Sequence, residues 1–163
     1  MHDLSLYLLE LLENSIRAAA THVEITLLMD DEANELRLTV DDDGGGLSAS
    51  PERILDPFFT TKTGKQTGLG LSLLRADAQA AGGDLLIGPS PTLGGARVDT
   101  HMELHHVDRV PLGDVGSSIS VVAFTNPQVQ FFVNLTGDRF NPPLLRASPA
   151  AAVERLAKEP ATH

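Results

Sequence analysis

The 163-residue sequence contains no cysteine and no tryptophan, and aromatic residues make up only 4% of it. The lack of cysteine excludes disulfides and thiolate metal sites, and it is typical of proteins in a reducing cytoplasm. No apolar run reaches the roughly 20 residues needed to span a membrane. The N-terminus has neither the basic region nor the cleavage site of a signal peptide. We therefore expect a cytoplasmic protein without a membrane partner.

Basic residues are also scarce, since 12 lysines and arginines stand against 22 aspartates and glutamates. The resulting net charge of -10 opposes binding to DNA, RNA or an anionic membrane surface. The hydrophobic content of 42% is ordinary for a soluble domain of this length and is enough for a sizeable core. These values exclude nucleic acid as a favoured partner and leave small molecules or proteins.

Hydrophobic periodicity predicts the elements of residues 1–104. The leucines of residues 4–20 recur at helical spacing, and residues 23–29 and 35–41 read as a hairpin of two strands. A short helical turn follows Ser50, whose hydroxyl is expected to cap it, and a polar lid leads to a second helix ending near Ala81. Two more strands are predicted at 85–88 and 97–104. This order predicts an α+β fold, a two-layer α/β sandwich with helices on one face of a mixed sheet.

The pattern of residues changes after residue 104. Residues 105–163 contain an apolar stretch at 115–124, a strand pattern at 129–135 and a final helix from Ser148 to about Glu159. A segment of this size is small for an independent domain. We therefore predict one domain over residues 1–104 and a small α/β extension over residues 105–163 packed on it.

Glu10 and Asn14 are one helical turn apart, so their side chains project from the same face, with Arg17 one turn further on. Asparagine offers a neutral oxygen suited to Mg²⁺, which takes its other ligands from water and substrate phosphates. Glu10 could act as a general base, and Arg17 could reach a phosphate. The alternative is that these residues are only the solvated face of an amphipathic helix.

An acidic turn follows the second strand, with Asp42 ahead of Gly44 and Gly46. A carboxylate at a strand end suits an exocyclic amine such as that of adenine, and glycines let a ligand approach the backbone. The alternative is a plain acidic turn, because Asp-Gly pairs are common turn formers. An EF-hand is disfavoured because its longer series of ligands does not follow.

A glycine pattern at residues 67–70, comprising Thr67, Gly68, Leu69 and Gly70, leads directly into the second helix. The free N–H groups of a helix N-terminus favour an anion, so this is a candidate phosphate site. It is neither a P-loop nor a dinucleotide fingerprint. Lys62 and Lys65 precede it in the lid and could neutralise phosphate charge.

Together these segments resemble the motifs of the histidine-kinase-like ATPase family, which includes sensor kinases, DNA gyrase, mismatch-repair ATPases, large heat-shock chaperones and anti-sigma-factor kinases. Residues 10–17 (ELLENSIR) resemble the N box, and residues 18–25 (AAATHVEI) are similar to its mismatch-repair version. Residues 40–47 (VDDDGGGL) resemble the first glycine box. Residues 54–62 (ILDPFFTTK) and 67–72 (TGLGLS) are similar to the F box and second glycine box of sensor kinases. The resemblance covers about residues 4–104.

This resemblance implies the Bergerat-type ATP-binding fold, with Mg²⁺ and ATP as cofactors. It implies Asn14 on the metal, Asp42 on the adenine, and the lid and second glycine box around the phosphates. Two positions depart from the pattern. Gln66 replaces a glycine of the sensor-kinase lid, and Ala96 replaces a threonine that many members place near the adenine.

Sensor kinases carry a phosphoacceptor histidine in a preceding helical domain, whereas here the N box begins almost at Met1. His105 and His106 could form an acceptor or metal pair, but adjacent strand residues point to opposite faces, which disfavours both roles. His2 and His22 are predicted to be surface residues. Phe58-Phe59 and Phe131-Phe132 are predicted to pack rather than bind ligand.

We therefore expect a stand-alone, Mg-ATP-dependent protein kinase in signal transduction, which transfers the γ-phosphoryl group to an unidentified partner protein with Glu10 as base. Two alternatives use the same pocket, a nucleotide-switched regulatory binding module of the anti-sigma type and a slow ATPase. The oligomeric state stays open, a homodimer included.

Overall fold

The computed structural model describes residues 2–47, 49–56 and 69–159, with Leu69 described only through its backbone. The helices and strands follow one another along the chain, and their bounds are α1 (Leu4–Arg17), β1 (His22–Asp30), β2 (Glu35–Asp42), α2 (Pro51–Ile54), α3 (Leu69–Ala80), β3 (Asp84–Pro89), β4 (Ala96–Met102), α4 (Val115–Thr125), β5 (Gln130–Thr136), β6 (Leu144–Ala147) and α5 (Pro149–Ala157). The predicted elements of residues 1–104 are all present, with ends that differ from the predicted ones by up to three residues, apart from the lid, which lies outside the described residues.

The six strands form one mixed sheet in the order β3-β4-β2-β1-β5-β6. β1 and β5 are parallel, and the other neighbours are antiparallel. The predicted hairpin is confirmed, because β1 and β2 pair along their whole length from Val23 opposite Asp42 to Asp30 opposite Glu35. The fold is therefore the predicted two-layer α/β sandwich, and β5 and β6 of the extension complete the same sheet.

The core lies between this sheet and the helices. Alternate residues of β1 from Val23 to Met29 are buried, as strand periodicity requires when one face is covered. They meet the leucine face of α1, where Leu4, Leu8 and Leu12 are completely buried. Burying one such side chain stabilises the fold by roughly 1.5–3 kcal/mol, so this face fixes α1 on the sheet. The positions of Glu10 and Asn14 follow from that packing.

The ends of α1 follow from local sequence. Asp3 caps the N-terminus, its carboxylate accepting from the backbone N–H of Leu6 at 3.0 Å. The helix ends at Arg17, earlier than the alanines predict, because Ala19 adopts a positive φ of 61° that stops the helical hydrogen bonding. At α2 the expected cap is wrong, since Ser50 occupies the N-cap position without a side-chain hydrogen bond.

The extension packs on the helix that carries the candidate site. The backbone N–H groups of Leu4 and Ser5 donate to the carbonyls of Pro111 and Leu112 at 2.9 and 3.0 Å. The hydroxyl of Ser118 in α4 donates to the carbonyl of Ser5 at 2.7 Å. The extension thus holds the N-terminal turn of α1 through hydrogen bonds to its backbone. The sequence pattern of residues 105–159 does not predict these bonds.

Candidate functional site

The end of β2 places two neighbouring carboxylates on opposite faces of the sheet. Asp41 points to the face without helices, where Arg97 donates to both of its oxygens at 2.7 and 3.1 Å. The hydroxyl of Ser90 also donates to Asp41 at 2.8 Å. Asp42 points to the helix face, beneath α1. Asp41 is therefore used in an ion pair, and Asp42 is the carboxylate that faces the candidate pocket.

A cavity of about 400 Å³ opens beside Asp42, within the range of ~300–1,000 Å³ usual for small-molecule sites. Its walls are mainly aliphatic, and the lining includes Leu11, Val40, Leu47, Ile54, Leu71, Ile87 and Val98. Asn14, Arg17 and Gly46 also line it. An apolar cleft with one buried carboxylate suits a flat, partly apolar ring that carries a hydrogen-bond donor.

Asp42 is 5% exposed and fixed by three donors. Its Oδ2 accepts from the hydroxyl of Ser15 at 2.7 Å, and its Oδ1 accepts from the backbone N–H groups of Gly44 and Ala96 at 3.0 and 3.1 Å. A carboxylate has about four acceptor positions. Among the described residues these three bonds leave one position free, on Oδ2, so Asp42 can accept one more hydrogen bond from a ligand amine.

The glycines of the acidic turn serve different purposes. A Cβ on Gly44 would lie 2.7 Å from the carbonyl oxygen of Ala18, so glycine is needed there for packing against the end of α1. Gly44 is absent from the cavity lining, although its N–H orients Asp42. Gly46 lines the cavity and has a φ of +82°, the left-handed region that favours glycine. Gly46 is therefore the glycine of this turn that lines the cavity.

Asp43 anchors the same turn to the start of β1. Its Oδ1 accepts from the N–H groups of Thr21 and His22 at 2.7 and 2.9 Å. Its Oδ2 accepts from Thr21 Oγ1 at 2.6 Å and lies 2.9 Å from His22 Nδ1. Burial raises the pKa of Asp43, but the hydrogen bonds from Thr21 and His22 outweigh burial and hold the pKa well below its usual range.

Replacing Asp43 with asparagine should lower the free energy of unfolding by about 2 kcal/mol near pH 7, since hydrogen bonds to a charged group are lost. Because the folded pKa is depressed, this stabilisation is complete above the usual carboxyl value of 3.8 and decreases as the pH falls from there through the folded pKa, so it should be smaller, but still present, near pH 3. Urea unfolding of both proteins at about pH 7 and about pH 3 measures the difference. A difference of equal size at the two pH values would contradict this assignment.

Glu10 lies against the first turn of α3. An ideal Cβ built on Gly70 would overlap Glu10 Oε2, so only glycine allows this approach. Because α3 begins at Leu69, the carboxylate sits at the helix end where free N–H groups and the positive dipole attract anions. The structure thus brings together Glu10 and Gly70, which are 60 positions apart in the sequence. Sequence reasoning proposed both residues and could not place them in contact.

Asn14 and Arg17 are exposed at the mouth of the cavity. The guanidinium of Arg17 donates to the side-chain oxygen of Asn14 through Nη2. In this structure the side-chain oxygen predicted to hold Mg²⁺ is therefore used by the Arg17 guanidinium. Lys62, Thr67 and Gly68 lie outside the described residues, as do Lys65 and Gln66, and their predicted roles stay predictions.

The remaining candidates do not join this site. His105 and His106 lie in a turn, not a strand, where His105 Nε2 is 2.8 Å from Asp31 and His106 Nδ1 accepts from the N–H of Asp108. Across the described ranges, no cluster of three or more histidine or acidic residues could hold a metal. Phe131 is buried in the core, and Phe132 lies beneath Arg146 at 4.4 Å.

Two residues of the site were missed by sequence reasoning. Ser15 immobilises Asp42, and its only sequence signal is that a small hydroxyl residue follows Asn14. His2 was expected only at the surface, yet its Nε2 lies 3.4 Å from Glu10 Oε1. Ala96, which replaces the threonine of many family members, donates its backbone N–H to Asp42 and is one of the residues that line the cavity.

No helix in the described part of the chain is long and apolar enough to cross a membrane. The chain is similar to the sensor histidine kinase ZraS of Escherichia coli O157:H7. The two are 33% identical over 81 residues, which make up 49% of this chain and 18% of the kinase. The structure of full-length ShkA with AMPPNP matches with a TM-score of 0.45 and 28% identity, over 59% of this chain and 20% of ShkA. This chain therefore spans about a fifth of the length of these two relatives.

The MutL ATPase domain of Aquifex aeolicus, complexed with ADP, matches with a TM-score of 0.43 and 19% identity, over 93% of this chain and 67% of that domain. The family model for the histidine kinase-, DNA gyrase B- and HSP90-like ATPases matches residues 2–106. That match includes the predicted N box, both glycine boxes and the strands around the cavity. The chain belongs to the histidine kinase-, DNA gyrase B- and HSP90-like ATPase family.

Proposed function

We propose that this protein binds Mg-ATP and transfers the γ-phosphoryl group to a side chain of a partner protein in the cytoplasm. The observation that carries this proposal is the contact between Glu10 and Gly70, which puts a carboxylate at the start of a helix where a phosphate would bind. The adenine would occupy the aliphatic cavity and donate its amine to the free position of Asp42 Oδ2. Its phosphates would then extend toward α3.

In this arrangement Glu10 and Arg17 of α1 have different roles. Glu10 accepts the proton of the attacking hydroxyl or imidazole, and Arg17 neutralises charge on the phosphates. Both act by positioning and electrostatics, since phosphoryl transfer needs little covalent help from the protein. The cavity would hold the adenine, and the polar lid predicted between Phe59 and Gly68 would exclude water from the phosphates.

Asn14 suits a metal that arrives with the nucleotide. Its neutral oxygen is exposed at the cavity mouth, and a single protein ligand is consistent with Mg²⁺, which keeps waters and phosphate oxygens in its shell. We propose that Asn14 holds Mg²⁺, which when bound would neutralise the developing phosphate charge. Arg17 would then leave Asn14 for the phosphates.

Incubation with γ-labelled ATP and a set of candidate partner proteins tests the transfer. We expect label on a partner with the wild-type protein and with Glu13→Gln, a matched control on the exposed part of the same helix. Glu10→Gln should bind ATP and transfer label about 10²–10⁴-fold more slowly. Intact ATP binding with no label on any partner and with release of free phosphate would favour a slow ATPase over a kinase.

Replacing Gly70 with alanine should lower the rate of γ-phosphoryl transfer or phosphate release by at least about tenfold, because the new Cβ displaces the Glu10 carboxylate. The displaced atoms are the end of a flexible side chain, and alanine favours a helix, so the melting temperature should change little. Steady-state kinetics and thermal unfolding of the same preparations measure both effects. An unchanged rate would mean that this contact has no part in turnover.

A specific observation favours a second candidate, a nucleotide-switched binding module. The extension holds the N-terminal turn of α1 through Pro111 and Leu112, so a movement of α1 on nucleotide binding would reach α4. On the outer side of α4, Val121 and Phe124 are 55% and 87% exposed. Partner affinity that differs between ATP, ADP and no nucleotide would support this switch, and equal affinity in all three states would exclude it.

A further inference from the structure

A chain of side-chain contacts leads from α3 back to Glu10 by way of the N-terminus. The imidazole of His2 stacks on the ring of Tyr7, with centroids 4.9 Å apart and planes inclined by 23°. From that position His2 Nε2 lies 3.4 Å from Glu10 Oε1. Histidine is thus held beside the same carboxylate whose other oxygen, Oε2, contacts Gly70.

Tyr7 forms a rigid platform for this imidazole. Its side chain is 3% exposed, and its hydroxyl donates to Asp77 Oδ2 of α3 at 2.6 Å. Burial, followed by the hydrogen bond to Asp77, raises the pKa of Tyr7. The phenol therefore stays protonated and keeps its bond to Asp77. A buried ring with a satisfied hydroxyl has little freedom to rotate, so the stacked His2 has a fixed surface to lie on.

The two neighbours of Glu10 lie against different oxygens of its carboxylate. Gly70 is at Oε2, where a phosphate is expected, and His2 is at Oε1, with its own side chain 40% exposed. A carboxylate on a flexible side chain that is 43% exposed would otherwise sample several rotamers. A base is efficient only when it stays within hydrogen-bond reach of the proton it removes. A side chain in the position of His2 limits the number of rotamers that Glu10 can sample and so keeps its carboxylate in place.

We propose that His2 is a positioning residue that holds the Glu10 carboxylate toward the start of α3. The inference rests on the proposed function of Glu10 as the base. His2 Nε2, 3.4 Å from Oε1, restrains that oxygen, and the stacking on Tyr7 fixes the direction from which the imidazole approaches it. His2 itself touches neither the nucleotide nor the acceptor.

The contact can be measured without turnover. In the nucleotide-free protein, the ¹⁵N resonance of His2 Nε2 should move when Glu10 is replaced with glutamine and stay in place in Glu13→Gln. Identical His2 resonances in wild type and Glu10→Gln would overturn the proposal. A moved resonance in a protein that turns over no ATP would support the contact and contradict the proposed function, so the two failures are distinguishable.

Kinetics of ATP turnover then test the role of the contact. His2→Ala should lower kcat about tenfold with KM for ATP unchanged, because orientation is lost and binding is not. His2→Gln places an amide N–H near the position of Nε2 and should recover most of the rate, whereas His2→Asn places it near Nδ1 and should not. Equal rates for Gln and Asn, an unchanged kcat in His2→Ala, or a loss that appears only in KM would overturn the proposal.

Discussion

Replacing Asp42 with asparagine is expected to weaken ATP binding about 100-fold, equivalent to about 2.7 kcal/mol. The bonds from Gly44 and Ala96 need an acceptor at Oδ1, so the new amide nitrogen should take the position of Oδ2. There it can donate to the hydroxyl of Ser15, which rotates to accept. The fold is then preserved, but a donor faces the adenine amine in place of the free acceptor.

The same geometry predicts a change in specificity. Adenine presents an amine at its sixth position, whereas guanine presents a carbonyl oxygen. The asparagine amide of the variant would donate to that oxygen, so the preference for ATP over GTP should narrow or invert. Loss of ATP affinity without any change in the ratio of ATP to GTP affinity would indicate a general distortion of the cavity.

Asp99→Asn provides the matched control. Asp99 lies on β4, on the sheet face without helices, where it accepts from Arg37 and Thr39 at 2.7 and 3.1 Å. Its replacement also removes one charge and a part-exposed ion pair, and it leaves the cavity lining unaltered. Calorimetric titration should give an ATP affinity close to wild type for Asp99→Asn. Unchanged affinity in Asp42→Asn would contradict the assignment of Asp42.

Glu10→Gln is expected to lower γ-phosphoryl transfer or phosphate release by about 10²–10⁴-fold, the usual contribution of a positioned general base. ATP affinity should stay within about threefold, because glutamine has the same shape and Glu10 does not line the adenine cavity. The neighbouring Glu13→Gln, exposed and one turn nearer the helix end, should retain both properties. Pre-steady-state measurement of transfer together with titration of ATP separates the two parameters.

The opposite pattern would contradict this role. A variant that loses ATP affinity and keeps its rate at saturation would make Glu10 a binding residue. If Glu10→Gln kept the wild-type rate at saturating ATP, Glu10 would not be a general base. The position of the carboxylate beside Gly70 would then require another explanation, such as stabilisation of the free α3 N-terminus in the absence of nucleotide.

The sequence predicts the local elements well because their signals are local. Alternation of Leu36, Leu38 and Val40 identifies β2, and the leucine spacing identifies α1, since period 2 and period 3.6 patterns are distinct. The four-residue strand β6 was not predicted, because residues 144–147 (LLRA) follow two prolines and show no alternation. Its pairing with β5 is a tertiary feature.

The candidate site was predictable in its residue types and not in its contacts. Family motifs point to Glu10, Asn14 and Asp42, but two acidic residues precede Asp43 and only the strand register shows which one faces the helices. The bond from Ser15 to Asp42 and the position of His2 depend on packing between elements far apart in the chain. Local patterns carry no information about such pairs.

A crystal structure of this protein soaked with Mg²⁺ and a non-hydrolysable ATP analogue tests the central claim most directly. We predict the adenine amine on Asp42 Oδ2, Asn14 on the metal, and Glu10 facing the terminal phosphate at the start of α3. A nucleotide bound elsewhere, or an adenine in the cavity with its phosphates directed away from Glu10 and Gly70, would contradict the account.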